Sequence, residues 1–167
     1  MLVRLGLRAV SVTAVVFLLY FTLPFSNRGA VETGFALAVA LVAFAGLMVW
    51  HAHAIAQAPY PLVRAVVALF TSFPIFIVLF SSVYFMIDEY SKGSFSQAMT
   101  RLDALYFTVT TFATVGFGDI TAVSEPARII TVVQIVLDLV LLGLVVRVFA
   151  HSAQAGLARR DKGSDDG

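Results

Sequence analysis

The sequence has no cysteine. That excludes a disulfide framework, a thiolate metal site and a cysteine nucleophile. Charge is scarce: 13% of residues are Asp, Glu, Lys or Arg, where a soluble domain carries about 25%. No helix-length run repeats arginine at three-residue spacing, so nothing resembles a voltage-sensing segment. No internal repeat with a period of about 20 to 50 residues is visible. A net charge of +1 points to no polyanionic partner, and no nucleic-acid contact is expected.

Apolar sequence fills the space that charge leaves. Hydrophobic residues make up 60% of the 167, and the mean hydropathy is +0.94. Four runs are long enough to cross a ~30 Å hydrocarbon core: Leu5 to Phe25, Gly34 to Ala56, Leu62 to Ile87 and Ala127 to Phe149. An integral membrane protein of the all-α class follows. Arg4 and Arg8 followed by an apolar stretch also fit a secretory leader, but the stretch is long for one. SNRGAVE after it makes a poor cleavage site, so an uncleaved anchor is expected.

Basic residues set the orientation. With four spans, Arg4, Arg8, Arg64, Arg147, Arg159, Arg160 and Lys162 share one side, against Arg28, Lys92, Arg101 and Arg128. Both termini are therefore expected in the cytoplasm, in a multi-pass plasma-membrane protein. The outer loops are acidic, with Asp88, Glu89, Asp103, Asp119 and Glu125, and would concentrate cations.

Between the third and fourth runs lies TTFATVGFGD, Thr110 to Asp119. Irregular backbone at membrane depth survives only inside protein or along a watery cavity, so residues 88–126 should dip in and return. Arg101 to Phe112 has helical spacing, with Thr100 or Asp103 to start it. In the climb back, Gly116 and Gly118 permit the left-handed values that let successive carbonyls aim one way. Such carbonyls can replace the water shell of an alkali ion. One chain gives one wall, and a closed ring needs several copies.

Thr114-Val115-Gly116-Phe117-Gly118-Asp119 resembles the selectivity filter of potassium channels, which is usually Thr-Val-Gly-Tyr-Gly-Asp. The surrounding order of outer helix, pore helix and inner helix is similar as well, over residues 62–150. The resemblance implies four transmembrane helices plus a re-entrant pore helix and filter loop, assembled as a homotetramer in membrane lipid. It implies potassium-selective conduction with Thr114, Val115, Gly116 and Phe117 on the ion, and Gly118 and Asp119 at the outer mouth. Tyr106 and Phe107, with Thr110 and Thr111, would support the filter. Neither catalysis nor a cofactor is implied, only potassium as the permeant ion. Phe117 departs from the usual tyrosine, and Asp138 stands where many inner helices carry a hinge glycine, with Gly143 five residues on.

Asp138 with Gln134 one turn before it would either ring the cavity with carboxylates or bond within protein to Thr108, Thr110 or Thr111. His51 and His53 point apart on a helix and suit interfacial anchoring. His151 beside Arg147 would sense pH or snorkel. Ala36, Ala40, Ala43 and Gly46 offer a small face for close packing, and Pro74 should kink the third run or remove a hydrogen bond. Residues 1–60 then hold two peripheral helices, 61–151 the pore domain and 152–167 a disordered tail. The rivals are a potassium transporter subunit, a non-conducting membrane scaffold and a poorly selective cation channel.

Overall fold

In this computed structural model the described residues are 2–22, 30–58, 61–143 and 146. The expectations for Arg28, Arg147, His151 and the tail 152–167 lie outside them. Five helices are described: α1 Leu2–Thr22, α2 Ala30–Ala56, α3 Pro61–Tyr90, α4 Arg101–Phe112 and α5 Glu125–Gly143. Among the described residues three segments are long and apolar enough to cross a membrane: Gly34–Ile55, Val63–Tyr90 and Glu125–Gly143. In α1, where a fourth crossing is expected, Thr13–Thr22 is a shorter apolar helical stretch.

α3 is the hub, packing against α1, α2 and α4. Its residues Phe76, Phe80 and Tyr84 recur every four positions and make one aromatic stripe. Ring centroids are 4.7 Å apart for Phe76–Phe80. At the outer end Tyr84, Phe95 and Phe107 form a triangle with separations of 5.0 to 5.8 Å, all edge-to-face. Lipid tails are as apolar as these rings, so their close packing holds the helices together, at about 0.5–1.5 kcal/mol per aromatic pair. α3 begins with Pro61, where a missing N–H costs nothing. It runs unbroken across Pro74, which leaves the Phe70 carbonyl without its helical donor.

α2 corrects one expectation. Ala36, Ala43 and Gly46 are exposed and only Ala40 is partly covered. The helix meets α3 through Phe44, which sits 5.7 Å from Phe76, with Leu37, Leu41 and Met48 beside it. A ring fills the gap between the helices, so the small residues are not needed there.

The loop before α4 is pinned to the chain after the filter. Phe95 and Ala122 form an antiparallel bridge. Ser96 N–H donates to the Thr121 carbonyl at 2.9 Å and Val123 N–H to the Ser94 carbonyl at 2.8 Å. Asp88, buried at the end of α3, accepts the Met99 N–H at 2.9 Å. α4 therefore enters between two anchored loops.

Candidate functional site

α4 starts with a capping box in which both expected residues take part. Thr100 Oγ1 accepts the Asp103 N–H, and Asp103 accepts the Thr100 N–H, satisfying two otherwise orphaned groups. The carboxylate also suits the positive end of the helix. The far end points its carbonyls toward residues 113–119, where a partial negative charge favours a cation.

That end closes as a Schellman turn. Thr114 N–H donates to the Thr111 carbonyl and Val115 N–H to the Thr110 carbonyl, each at 2.9 Å. Gly116 N–H shares the Thr110 carbonyl at 3.3 Å. The left-handed residue of this motif, usually glycine, is Thr114, with φ +57°. A β-branched residue there is unusual, and the paired hydrogen bonds oppose its strain. Thr110 Oγ1 bonds back to the Tyr106 and Phe107 carbonyls at 3.0 and 3.1 Å, while Thr111 contributes its carbonyl.

Beyond the turn the backbone alternates. φ is +57° at Thr114, +52° at Gly116 and +78° at Gly118, with Val115 and Phe117 between them on the ordinary side. The N–H groups of Thr114, Val115 and Gly116 are used by α4. Among the described residues, no hydrogen bond ends on the carbonyls of Thr114, Val115, Gly116 or Phe117. Residues 113–119 are exposed on one chain, Val115 at 51% and Phe117 at 69%. A Cβ on Gly116 or Gly118 would meet nothing within 4 Å. Glycine is needed there for its backbone angle, with space to spare.

The outer end is fixed by Tyr106. Its hydroxyl donates to Asp119 Oδ2 at 2.8 Å, and its ring stacks on Phe117 with planes 4° apart. The bond to the carboxylate raises the Tyr106 pKa above the ordinary phenol value. Asp119 Oδ1 accepts the Ile120 N–H at 3.0 Å, and Ser96 Oγ donates to the Asp119 carbonyl at 3.4 Å. Phe107, expected beside Tyr106 as a brace, packs into the core against Tyr84 and Phe95 instead. Consecutive residues on a helix point about 100° apart, so only one of the pair can face the filter.

Asp138 and Gln134 belong behind the pore helix. Asp138 is 5% exposed and Gln134 0%, within a single chain, so neither lines a cavity shared between copies. Their burial fits the alternative in which they bond within protein. Gln134 Nε2 donates to Asp138 Oδ2 at 3.3 Å and to the Thr108 carbonyl at 3.2 Å. Its Oε1 accepts the Tyr84 hydroxyl at 2.7 Å. Ser81 Oγ donates to Thr108 Oγ1 at 3.0 Å. This cluster joins α3, α4 and α5 where burial makes each bond matter. Gly143, in α5, is exposed. Ser81, Tyr84 and Ser96 carried no sequence signal, because hydroxyls on apolar helices show their partners only after packing.

Among the described residues, no cluster of three His, Cys, Asp or Glu could hold a metal ion. His51 is half-buried and His53 exposed. Neither the curated proteins nor the solved structures give a significant match. A family model described as "Ion channel" matches residues 72–155, half of the chain, including the hub of α3, all of α4, the filter segment and α5. The chain belongs to that ion-channel family.

Proposed function

We propose that this ion channel is potassium-selective and works as a homotetramer, with four copies of Thr114 to Phe117 ringing one axis in the plasma membrane. The observation that carries the reading is the alternation of backbone hand at Thr114, Gly116 and Gly118 beside carbonyls that no group among the described residues uses. Such oxygens can take over an alkali ion's hydration shell. The assembly follows from exposure. A loop open to lipid at membrane depth is not tolerated, so other copies must enclose it. α5 offers apolar residues around much of its surface, including Val132, Ile135, Val136, Leu139 and Val140, which suits contact with neighbours on either side.

The carbonyls do the selecting, and ions move passively down their gradient. Asp119 at the outer mouth adds negative charge where cations enter. α1 crosses as the fourth helix with its N-terminus in the cytoplasm, and α2 returns beside α3. No cofactor takes part. Reconstitution into liposomes with opposed potassium and sodium gradients tests this. The expected current reverses at the potassium equilibrium potential. Reversal near zero makes the protein a non-selective cation channel, and absence of current removes the conducting reading.

A further inference from the structure

α5 turns its hydrogen-bonding side chains away from its free surface. Gln134 donates to the Thr108 carbonyl and to Asp138, and accepts the Tyr84 hydroxyl. Thr131 Oγ1 bonds back to the Ala127 carbonyl at 2.8 Å. Gln134 and Asp138 are buried. Every exposed residue between Arg128 and Gly143 is Val, Ile or Leu. On a helix of 3.6 residues per turn, the side opposite Gln134 and Asp138 holds Val132, Val136, Leu139 and Gly143. The first three are more than half exposed, at 60%, 54% and 60%.

α3 and α5 both bond to α4. α3 is also packed by α1 and α2, whereas α5 keeps most of its surface free. Leu137, Leu141 and Gly143 line one cleft with Phe112, the last residue of α4. The second half of α5 therefore lies on the inner side of the carbonyl row. With four copies around one axis, as proposed above, the free faces of α5 wall the path between the filter and the inner surface. Whichever of those faces meets the axis, it offers no hydrogen bond.

We propose that this path closes by dewetting at Val136 and Leu139, four copies of each forming an apolar collar. Water between such walls has nothing to bond to, and a narrow apolar constriction empties. A cation finds no substitute there for its hydration shell, unlike in the row of carbonyls above, so an empty collar stops it with no side chain acting as a plug. The collar conducts only while the α5 helices stand far enough apart to hold a continuous column of water. This rests on the tetrameric channel proposed above, and it makes the polarity of two side chains, rather than their size, the barrier.

The test uses the purified full-length protein in liposomes and has two arms. In the first, potassium flux should rise about tenfold in Leu139→Asn, which is close to leucine in size, and stay as in wild type in Leu139→Met. Val136→Ser should raise flux above Val136→Ala, which is as small but apolar. The reversal potential should not move in any of them. Flux that follows side-chain size alone overturns the collar. The second arm reads water without current. The chain has no cysteine, so Val136→Cys gives one thiol per copy, and attack needs the thiolate. A trimethylammonium methanethiosulfonate present on both sides should label it about tenfold more slowly than the double variant Val136→Cys/Leu139→Asn. Prompt labelling of Val136→Cys alone shows a wet path and overturns the proposal. Slow labelling of both places Val136 away from the path and overturns it too. Labelling rescued by Leu139→Asn in a protein that carries no current removes the conducting reading and leaves the dry collar.

Discussion

Tyr20 and Arg101 hold each other by two hydrogen bonds across 81 residues of sequence: the Tyr20 hydroxyl donates to the Arg101 carbonyl at 2.6 Å, and the Arg101 guanidinium donates to the Tyr20 carbonyl. The guanidinium also lies 5.5 Å from the centroid of the Phe85 ring on α3. The last turn of α1 is thereby fastened to the first residue of α4. A carbonyl at a helix C-terminus is one of its orphaned acceptors, and a cation there is favoured by the helix dipole.

Arg101→Gln should loosen this joint at a cost of ~1–3 kcal/mol, from one charged hydrogen bond and one cation–π contact. Thermal unfolding of the purified assembly should occur at lower temperature, with the potassium reversal potential unchanged. A melting curve identical to wild type would show the joint to be idle.

Gly116→Ala should abolish potassium selectivity or current while leaving membrane insertion intact. The added methyl meets open space, so the damage comes from φ +52°, a left-handed value costing about 1–2 kcal/mol per residue in each copy. Gly34→Ala is the control, since it too meets nothing within 4 Å and lies in a helix. Unchanged selectivity in the Gly116 variant would remove the carbonyl ring.

The two tyrosine-related changes at the outer mouth should act in opposite directions. Tyr106→Phe removes the bond to Asp119 and should speed the loss of current during sustained conduction. Phe117→Tyr adds a hydroxyl to an exposed ring and should slow it, with selectivity held. Time courses of potassium current in both variants check this. Similar decay in all three proteins would mean that the Tyr106–Asp119 bond does not hold the filter.

Asp138→Asn should leave single-channel conductance and block by internal magnesium as in wild type, because the side chain is buried behind the pore helix. Gln134→Leu should be more harmful. It strands the Tyr84 hydroxyl, the Thr108 carbonyl and the Asp138 carboxyl together, at ~1–3 kcal/mol for each orphaned group. Chemical denaturation of both variants, with block measured alongside, separates the two. Weakened block in Asp138→Asn would restore the cavity ring.

α4, its capping box and the left-handed glycines after it were legible in the sequence because their signals are local. Thr100 and Asp103 are three apart, and Gly116 and Gly118 two apart, so the requirements of the backbone are written within a few residues. The inward side of α5 was not legible. An apolar helix in a membrane lacks the polar face that marks orientation in soluble proteins, so Asp138 allowed two placements until Gln134 was seen to reach Thr108. Thr114 was expected as an ion ligand, but its left-handed angle was missed, since threonine gives no hint of it where glycine would. The Tyr20–Arg101 joint and the Phe44 face of α2 depend on contacts between distant segments, which no periodicity reports.

Thr114 ends the pore helix and begins the row of carbonyls. The same short segment thus completes the last turn of α4 and, in the proposed channel, opens the path of the ion. Binding equilibria that share a structural element are reciprocal. If the proposed potassium site uses these carbonyls and an ion there tightens the final turn of α4, a well-formed final turn raises affinity for potassium by the same factor. A pore emptied of potassium would lose order first at that turn, and amide hydrogen exchange at Thr114 and Val115 would then report the occupancy of the pore.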